Sequence, residues 1–149
     1  MIEAVSVLML IAGCFGASVH DGDTFRTADC VSHRIWGIDA VELDQTCGDR
    51  PCGLQARGAL AELVDGHTVV CDVRGRSYKR VVSQCFVGKV DIGRQMVRLG
   101  WAFDVPQFSG GEYAEEEREA RRAKRGAWAY SSVTPPFIWR NEHGRRHKN

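Results

Sequence analysis

Apolar positions recur along this chain with two periods, and each period predicts its own kind of element. Residues 16–40 alternate small, apolar and polar positions about Asp21-Gly22-Asp23, a turn signal that predicts a β-hairpin. His33 to Ile38 reads as a further strand, with Arg34, Trp36 and Ile38 on one face and Ile35 on the other. From Gly53 to Asp65 the spacing becomes helical. Ala56, Leu60, Leu63 and Val64 fall at i, i+4, i+7 and i+8, and Gly66 supplies the stop. Residues 68–88 return to strands, two of them about a polar turn at Tyr78. A short helix is expected from Asp91, its N-cap, to Leu99, with Ile92, Met96 and Leu99 as the stripe and Gly100 ending it. The last helix is expected over Gly111–Arg125, where glutamates come first and basic residues last, as the helix dipole favours. From Ala129 the chain reads as irregular, through Pro135-Pro136 into a basic tail with Arg140, Arg145, Arg146 and Lys148. Early strands followed by interspersed helices predict an α+β fold, and a small barrel closed on itself is the natural way for so few strands to bury a core.

With 149 residues, 44% hydrophobic and 26% charged, the chain has the length and composition of one globular domain. The reading divides it into an N-terminal segment, 1–15, a domain over 16–130 and a tail over 131–149. Val5–Ala12 is an apolar run of signal-peptide length, too short to span a bilayer, and Ile11-Ala12-Gly13-Cys14 resembles a lipoprotein cleavage box. No basic residue precedes Arg26, however, so the segment reads equally as a signal or anchor and as the start of a first strand. A formal net charge of +1 excludes a uniformly basic nucleic-acid binder, so any anionic partner must be held by a local site. The six cysteines fall into pairs. Cys71 and Cys85 lie symmetrically about Tyr78, Cys14 and Cys30 about Gly22, and Cys47 and Cys52 close a small loop. No Cys/His spacing suits zinc, so disulfides are expected, and with them an oxidising compartment, periplasmic or secreted. A Cys14–Cys30 bond and a lipidated Cys14 exclude one another.

The chemistry gathers in the first third. Asp21 and Asp23 flank a turn, while Asp39 and Glu42 stand at the end of a strand expected to pair with that hairpin. Carboxylates converging on one strand end repel one another unless a cation sits between them, and hard oxygen donors in a hydrated site suit Ca2+. The simpler reading of Asp21-Gly22-Asp23 is a plain turn. Arg34 sits in an otherwise apolar strand, and Arg80 leads into Val81-Val82. Guanidinium groups bind phosphate oxygens in a planar fork, so two of them beside a carboxylate-bound metal make a phosphodiester site. The alternative is that each arginine only pairs a nearby carboxylate.

Asp21-Gly22-Asp23-Thr24, the run Arg34-Ile35-Trp36-Gly37-Ile38-Asp39-Ala40-Val41-Glu42, Tyr78-Lys79-Arg80, Gly100-Trp101-Ala102 and Gly126-Ala127-Trp128 together resemble the staphylococcal nuclease (thermonuclease) family, in order and spacing, over residues 17–128. The cysteines and the ending from Pro135-Pro136 to Trp139-Arg140 resemble its exported proteobacterial branch. The resemblance implies an OB-fold, a five-stranded β-barrel with three helices, and Ca2+-dependent cleavage of DNA and RNA, single strands or frayed duplex preferred. It implies Asp23, Asp39 and the backbone carbonyl of Ala40 as metal ligands, with Asp21 near the ion through water. Glu42 becomes the general base for the attacking water, Arg34 and Arg80 the groups that bind phosphate and stabilise charge, and Tyr78 and Lys79 substrate contacts. No protein partner is implied, and a monomer is expected.

Val41, Pro106 and the turn Arg76-Ser77-Tyr78-Lys79-Arg80, where the family usually has Asp-x-Tyr-Gly-Arg, depart from the family pattern. Val41 replaces a proline beside the base, which is expected to loosen Glu42. Lys79 replaces a glycine before Arg80, where a positive φ is often needed. Pro106 stands where an aromatic packs on a base, with Phe108 and Tyr113 as substitutes. Two rival readings remain: a catalytically silent OB-fold nucleic-acid-binding domain, and an exported disulfide-stabilised domain in which Ca2+ only holds structure. The presence of all five of Asp23, Asp39, Glu42, Arg34 and Arg80 favours the enzyme.

Overall fold

The computed structural model describes residues 18–130 and 133–144. β1 (Ser18–Asp21) and β2 (Thr24–Arg26) form the expected hairpin about Gly22-Asp23. β3 (Ser32–Ile35) pairs antiparallel with β2, setting Thr24 opposite Arg34. Gly22 is pressed into the structure: a Cβ there would lie 2.8 Å from the Ala40 methyl and 3.0 Å from that of Ala56. The acidic turn is thereby held against the strand that carries Asp39.

The strand expected to run on to Ile38 is interrupted. Gly37 takes φ +77, and an added Cβ would come within 3.1 Å of both Ser109 and Tyr113. After this bend β4 (Ile38–Ala40) leaves the main sheet and pairs with β8 (Ala102–Asp104). Ile35 and Ile38 are therefore both buried instead of facing opposite ways. The bend also releases Asp39 and Glu42 from the sheet, toward the β1–β2 turn.

β5 (Val69–Ser77) and β6 (Arg80–Val87) form the second hairpin. β6 lies parallel to β3, and a short β7 (Val90–Asp91) adds to its end, giving a path β1-β2-β3-β6-β5. Among the described residues no ladder joins β1 to β5. At the hairpin tip Tyr78, not Lys79, carries the positive φ (+55), so the lysine that replaces the family's glycine sits in an ordinary conformation. Cys71 and Cys85 stand opposite each other, as expected, in a disulfide with Cα atoms 4.1 Å apart. The Cys47–Cys52 disulfide closes its loop with a Cα separation of 5.6 Å. The expected Cys14–Cys30 pair falls on Cys14, outside the described residues, as does the N-terminal segment.

The three expected helices are α1 (Cys52–Val64), α2 (Ile92–Arg98) and α4 (Ala114–Arg122). Asp91 caps α2 as expected, its carboxylate accepting from the Arg94 amide at 3.2 Å. α4 is shorter than expected. Two further helices appear, α3 (Pro106–Ser109) and α5 (Pro136–His143). The latter replaces part of the irregular tail, because Pro135 stays extended and Pro136 sits at the first helical position, where its missing N–H costs nothing. The main core joins Phe25, Ile35, Ile38, Leu60, Ile92, Met96 and Tyr113 between the sheet, α1 and α2.

Among the described residues, His33 is the one histidine in this interior. It is 7% exposed, stacks on Phe25 and lies 3.0 Å from the Ser83 hydroxyl through Nδ1. Burial pushes its pKa below the ordinary histidine value, against a smaller opposing pull from Asp29. The unfolded chain therefore binds a proton there that the folded chain refuses, so stability rises with pH through the window just below 6.5 and is lost as pH falls through it. Urea unfolding midpoints between pH 5 and pH 8 are expected to show this slope, and His33→Asn is expected to flatten it. An equal slope in both proteins removes His33 as its source.

Candidate active site

The Asp21-Gly22-Asp23 turn, the end of β4, the tip of the β5–β6 hairpin, α3 and α5 surround one open cleft of about 1040 Å³. Its walls include Asp21, Asp23, Arg34, Asp39, Glu42, Tyr78 and Arg80, seven of the residues expected from the sequence.

The groups are linked through arginine. Arg34, projecting from β3, pairs with the Asp23 carboxylate and reaches Asp39 Oδ1 at 3.2 Å. The same guanidinium donates to the Ile38 carbonyl at 3.3 Å. Burial draws its pKa down, and the nearby Asp39 and Asp21 carboxylates oppose this. Asp23 is fixed from three sides, with Oδ2 accepting from the Ala40 amide at 2.8 Å and Oδ1 from the Thr24 hydroxyl at 3.2 Å. Asp21 Oδ1 accepts from the Asp23 amide at 3.1 Å, the ordinary turn bond. Arg80 donates to the Thr24 hydroxyl at 3.2 Å, so a short chain of contacts runs from Arg80 through Thr24 to Asp23.

Glu42 follows Val41, which is buried and whose amide donates to the Trp101 carbonyl at 3.1 Å. A proline would lose that bond, so valine fastens this strand end where loosening was expected. The Glu42 amide donates to Gln45 Oε1 at 3.0 Å, and Gln45 Nε2 donates to the Thr134 carbonyl at 2.7 Å. Burial pushes the Glu42 carboxyl above the usual carboxylate range, while the guanidinium of Arg140 draws it back.

Arg140 is the residue the sequence reading placed in a basic tail. From α5 it forks onto Asp39, Nη1 to Oδ1 and Nη2 to Oδ2, both at 2.9 Å, and Nη1 also meets Glu42. Its pKa is raised, first by the hydrogen bonds to Asp39. Gln45 was likewise not singled out, although it stands one short turn after Glu42. The apolar run Phe137-Ile138-Trp139 directly after Pro135-Pro136 marks the start of a packed helix, but it does not show which residues that helix meets.

The aromatic residues separate. Tyr113, a candidate base-stacking residue, is wholly buried, its hydroxyl donating to Asp91 at 2.8 Å, and it belongs to the core. Tyr78, Phe108 and Phe137 are exposed and line the cleft. Lys79 is exposed on the hairpin tip, away from the cleft wall.

The donor set fits a hard cation. Asp23 and Asp39 are buried, Asp21 and Glu42 stand nearby, no sulfur or imidazole of the described residues lines the cleft, and positive guanidinium groups bridge these oxygens. Among the described residues, the metal-ligating types whose donor atoms lie within 4.8 Å of one another are His33, Cys71 and Cys85, two of which are consumed by their disulfide. Asp21, Asp23 and Asp39 are spread wider.

Residues 32–130 match the family described as staphylococcal nuclease homologue. The chain is 34% identical over 111 residues to "Probable staphylococcal-like nuclease CAN2" of Oryza sativa subsp. japonica, covering 73% of this chain and 29% of that protein. It is 32% identical over 129 residues to an "Uncharacterized endonuclease" of Escherichia coli, 83% of this chain and 81% of that protein. A protein of the same description from Haemophilus influenzae is 26% identical over 135 residues, 87% of this chain and 73% of its own length. The chain spans less than a third of the rice protein, and most of the Escherichia coli one. The family match takes in β3 to the 3-10 turn at Gly126–Ala129, and with it Arg34, Asp39, Glu42 and Arg80. This chain belongs to the staphylococcal nuclease family.

Proposed function

We propose that the protein is a Ca2+-dependent nuclease that hydrolyses phosphodiester bonds of DNA and RNA with little base specificity. The observation that carries this is the convergence of Asp23, Asp39, Glu42, Arg34 and Arg80 on one cleft. The names of the Escherichia coli and rice relatives agree with it.

Asp23, Asp39 and the Ala40 carbonyl would hold Ca2+, with Asp21 nearby, and the bound ion would supply Lewis-acid stabilisation of the phosphate charge. Arg34 and Arg80 present guanidinium donors to the remaining phosphate oxygens, where charge builds as water attacks. Thr24 keeps Arg80 aimed along the Asp23 side of the cleft. Glu42 takes the proton from the attacking water, a role it can fill only within hydrogen-bond reach of that water or through one more. Its half-buried position raises its basicity. Tyr78 and Phe108 offer faces on which unpaired bases stack, so single strands and frayed ends are the favoured substrates.

The Cys47–Cys52 and Cys71–Cys85 disulfides support residence in the periplasm or outside the cell, where such bonds persist.

Purified, oxidised protein incubated with single-stranded DNA, duplex DNA and RNA is expected to cleave with Ca2+, to stop on addition of a chelator and to resume when Ca2+ is restored. Binding of nucleic acid without cleavage would instead identify the silent OB-fold module. Cleavage unchanged by the chelator would remove the ion from the reaction.

A further inference from the structure

Arg140 lies outside the stretch matched to the family, on a helix that the matched residues do not include. It nevertheless reaches into the centre of the cleft, and α5 is clasped to the strand end that bears Glu42. Trp139 Nε1 donates to Asp44 at 3.1 Å, and the Thr134 carbonyl just before α5 accepts from Gln45. Pro136 is buried. The helix is thus docked by contacts independent of the arginine.

The guanidinium fork occupies both carboxylate oxygens of Asp39 at 2.9 Å and meets Glu42 as well. A hard divalent cation needs the same Asp39 oxygens, at about 2.3–2.6 Å. The fork takes a lone pair from each Asp39 oxygen and sets a positive charge against them, so a cation on the same oxygens meets fewer open lone pairs and like-charge repulsion. The charge pattern agrees, because with Arg34 already between Asp23 and Asp39, Arg140 supplies the positive charge that Asp39 and Glu42 together still demand.

We propose that Arg140 is a positioning residue of this site that holds Asp39 and Glu42 in place and competes with a divalent cation for the Asp39 oxygens. Cation binding and the docking of α5 on Asp39 are then opposed, and each weakens the other by the same factor. The inference rests on the reading above in which Asp39 is a cation ligand.

The test is calorimetric titration with Ca2+ alone, without nucleic acid, of the full chain and of Arg140→Gln, Arg140→Lys and Trp139→Phe. Arg140→Gln is expected to bind Ca2+ roughly tenfold more tightly, within the usual range for two coupled binding events. Arg140→Lys, which keeps the charge and loses the fork, should fall between it and the parent. Trp139→Phe weakens the clasp without touching either carboxylate and should tighten binding to a smaller degree, so the inference stands testable even if the Gln variant folds poorly. Hydrogen exchange of the amides of residues 137–143 in the parent should quicken on Ca2+ saturation. Equal or weaker Ca2+ binding by the variants, with Ca2+-dependent cleavage intact, overturns this inference alone. Failure of the parent and all variants to bind Ca2+ overturns it together with the Ca2+ reading.

Discussion

Glu42→Gln is expected to lower the cleavage rate by about 10²–10⁴-fold, the usual contribution of a positioned general base, while the protein stays folded and still binds Ca2+. Glutamine has the shape of glutamate and keeps an acceptor for Arg140, and the Glu42 amide bond to Gln45 does not involve the side chain. What disappears is the basic oxygen. Single-turnover cleavage of a labelled single strand at saturating Ca2+, with circular dichroism as the control for folding, measures the effect. A variant within tenfold of the parent would remove Glu42 from the proton-transfer step. Arg80→Ala offers the contrast: the half-buried arginine gives up one hydrogen bond, to the Thr24 hydroxyl, so rate is lost there with little change in stability.

The second large effect concerns Gly53, in the first turn of α1. Its amide donates to the Gln45 carbonyl at 3.0 Å, and an added Cβ would overlap the carbonyl oxygens of both Glu42 and Leu43. These are backbone atoms with no rotamer to change, so Gly53→Ala must push the Glu42 strand end away from the helix. Overpacking of this kind costs about 1–3 kcal/mol or more, and a displacement of about 1 Å at a reacting group costs on the order of 10²-fold in rate. Melting temperature and cleavage are expected to fall together. Gly58, on the same helix, has open space where its Cβ would be, and Gly58→Ala is expected to stabilise by about 0.4–1 kcal/mol with activity unchanged. Like behaviour of the two variants would contradict the close packing at Gly53.

The short-range features of this fold were legible in the residues. Asp91 announces the cap of α2, the symmetry of Cys71 and Cys85 about Tyr78 announces the hairpin register, and the glutamate-to-arginine gradient announces α4. Features depending on a distant neighbour were not. Trp36-Gly37 reads as strand until Ser109 and Tyr113 press on Gly37 and force the bend. Tyr113 reads as a candidate for packing on a substrate base until its hydroxyl finds Asp91. Val41 reads as a loosened proline position until its amide meets Trp101. In the site, Asp23, Arg34, Asp39, Glu42 and Arg80 could be found because the motif places them. Arg140 could not, since its partners lie about a hundred positions away and local composition showed only a basic run.

The parallel ladder of β3 on β6 sets the order in which this molecule can assemble. The pairing joins His33 to Val81 and Arg34 to Val82, with the whole of α1 and β5 between them. Such a contact cannot nucleate locally, because a long loop must close before any of its bonds form. The β5–β6 hairpin, closed by neighbours in sequence and tied by its own disulfide, can form first and arrive as a unit. Arg80 thus gains its Thr24 partner only when that hairpin docks. Catalytic competence should accordingly lag behind secondary structure during refolding, and a stopped-flow trace should separate the two as an early far-ultraviolet phase and a later return of cleavage.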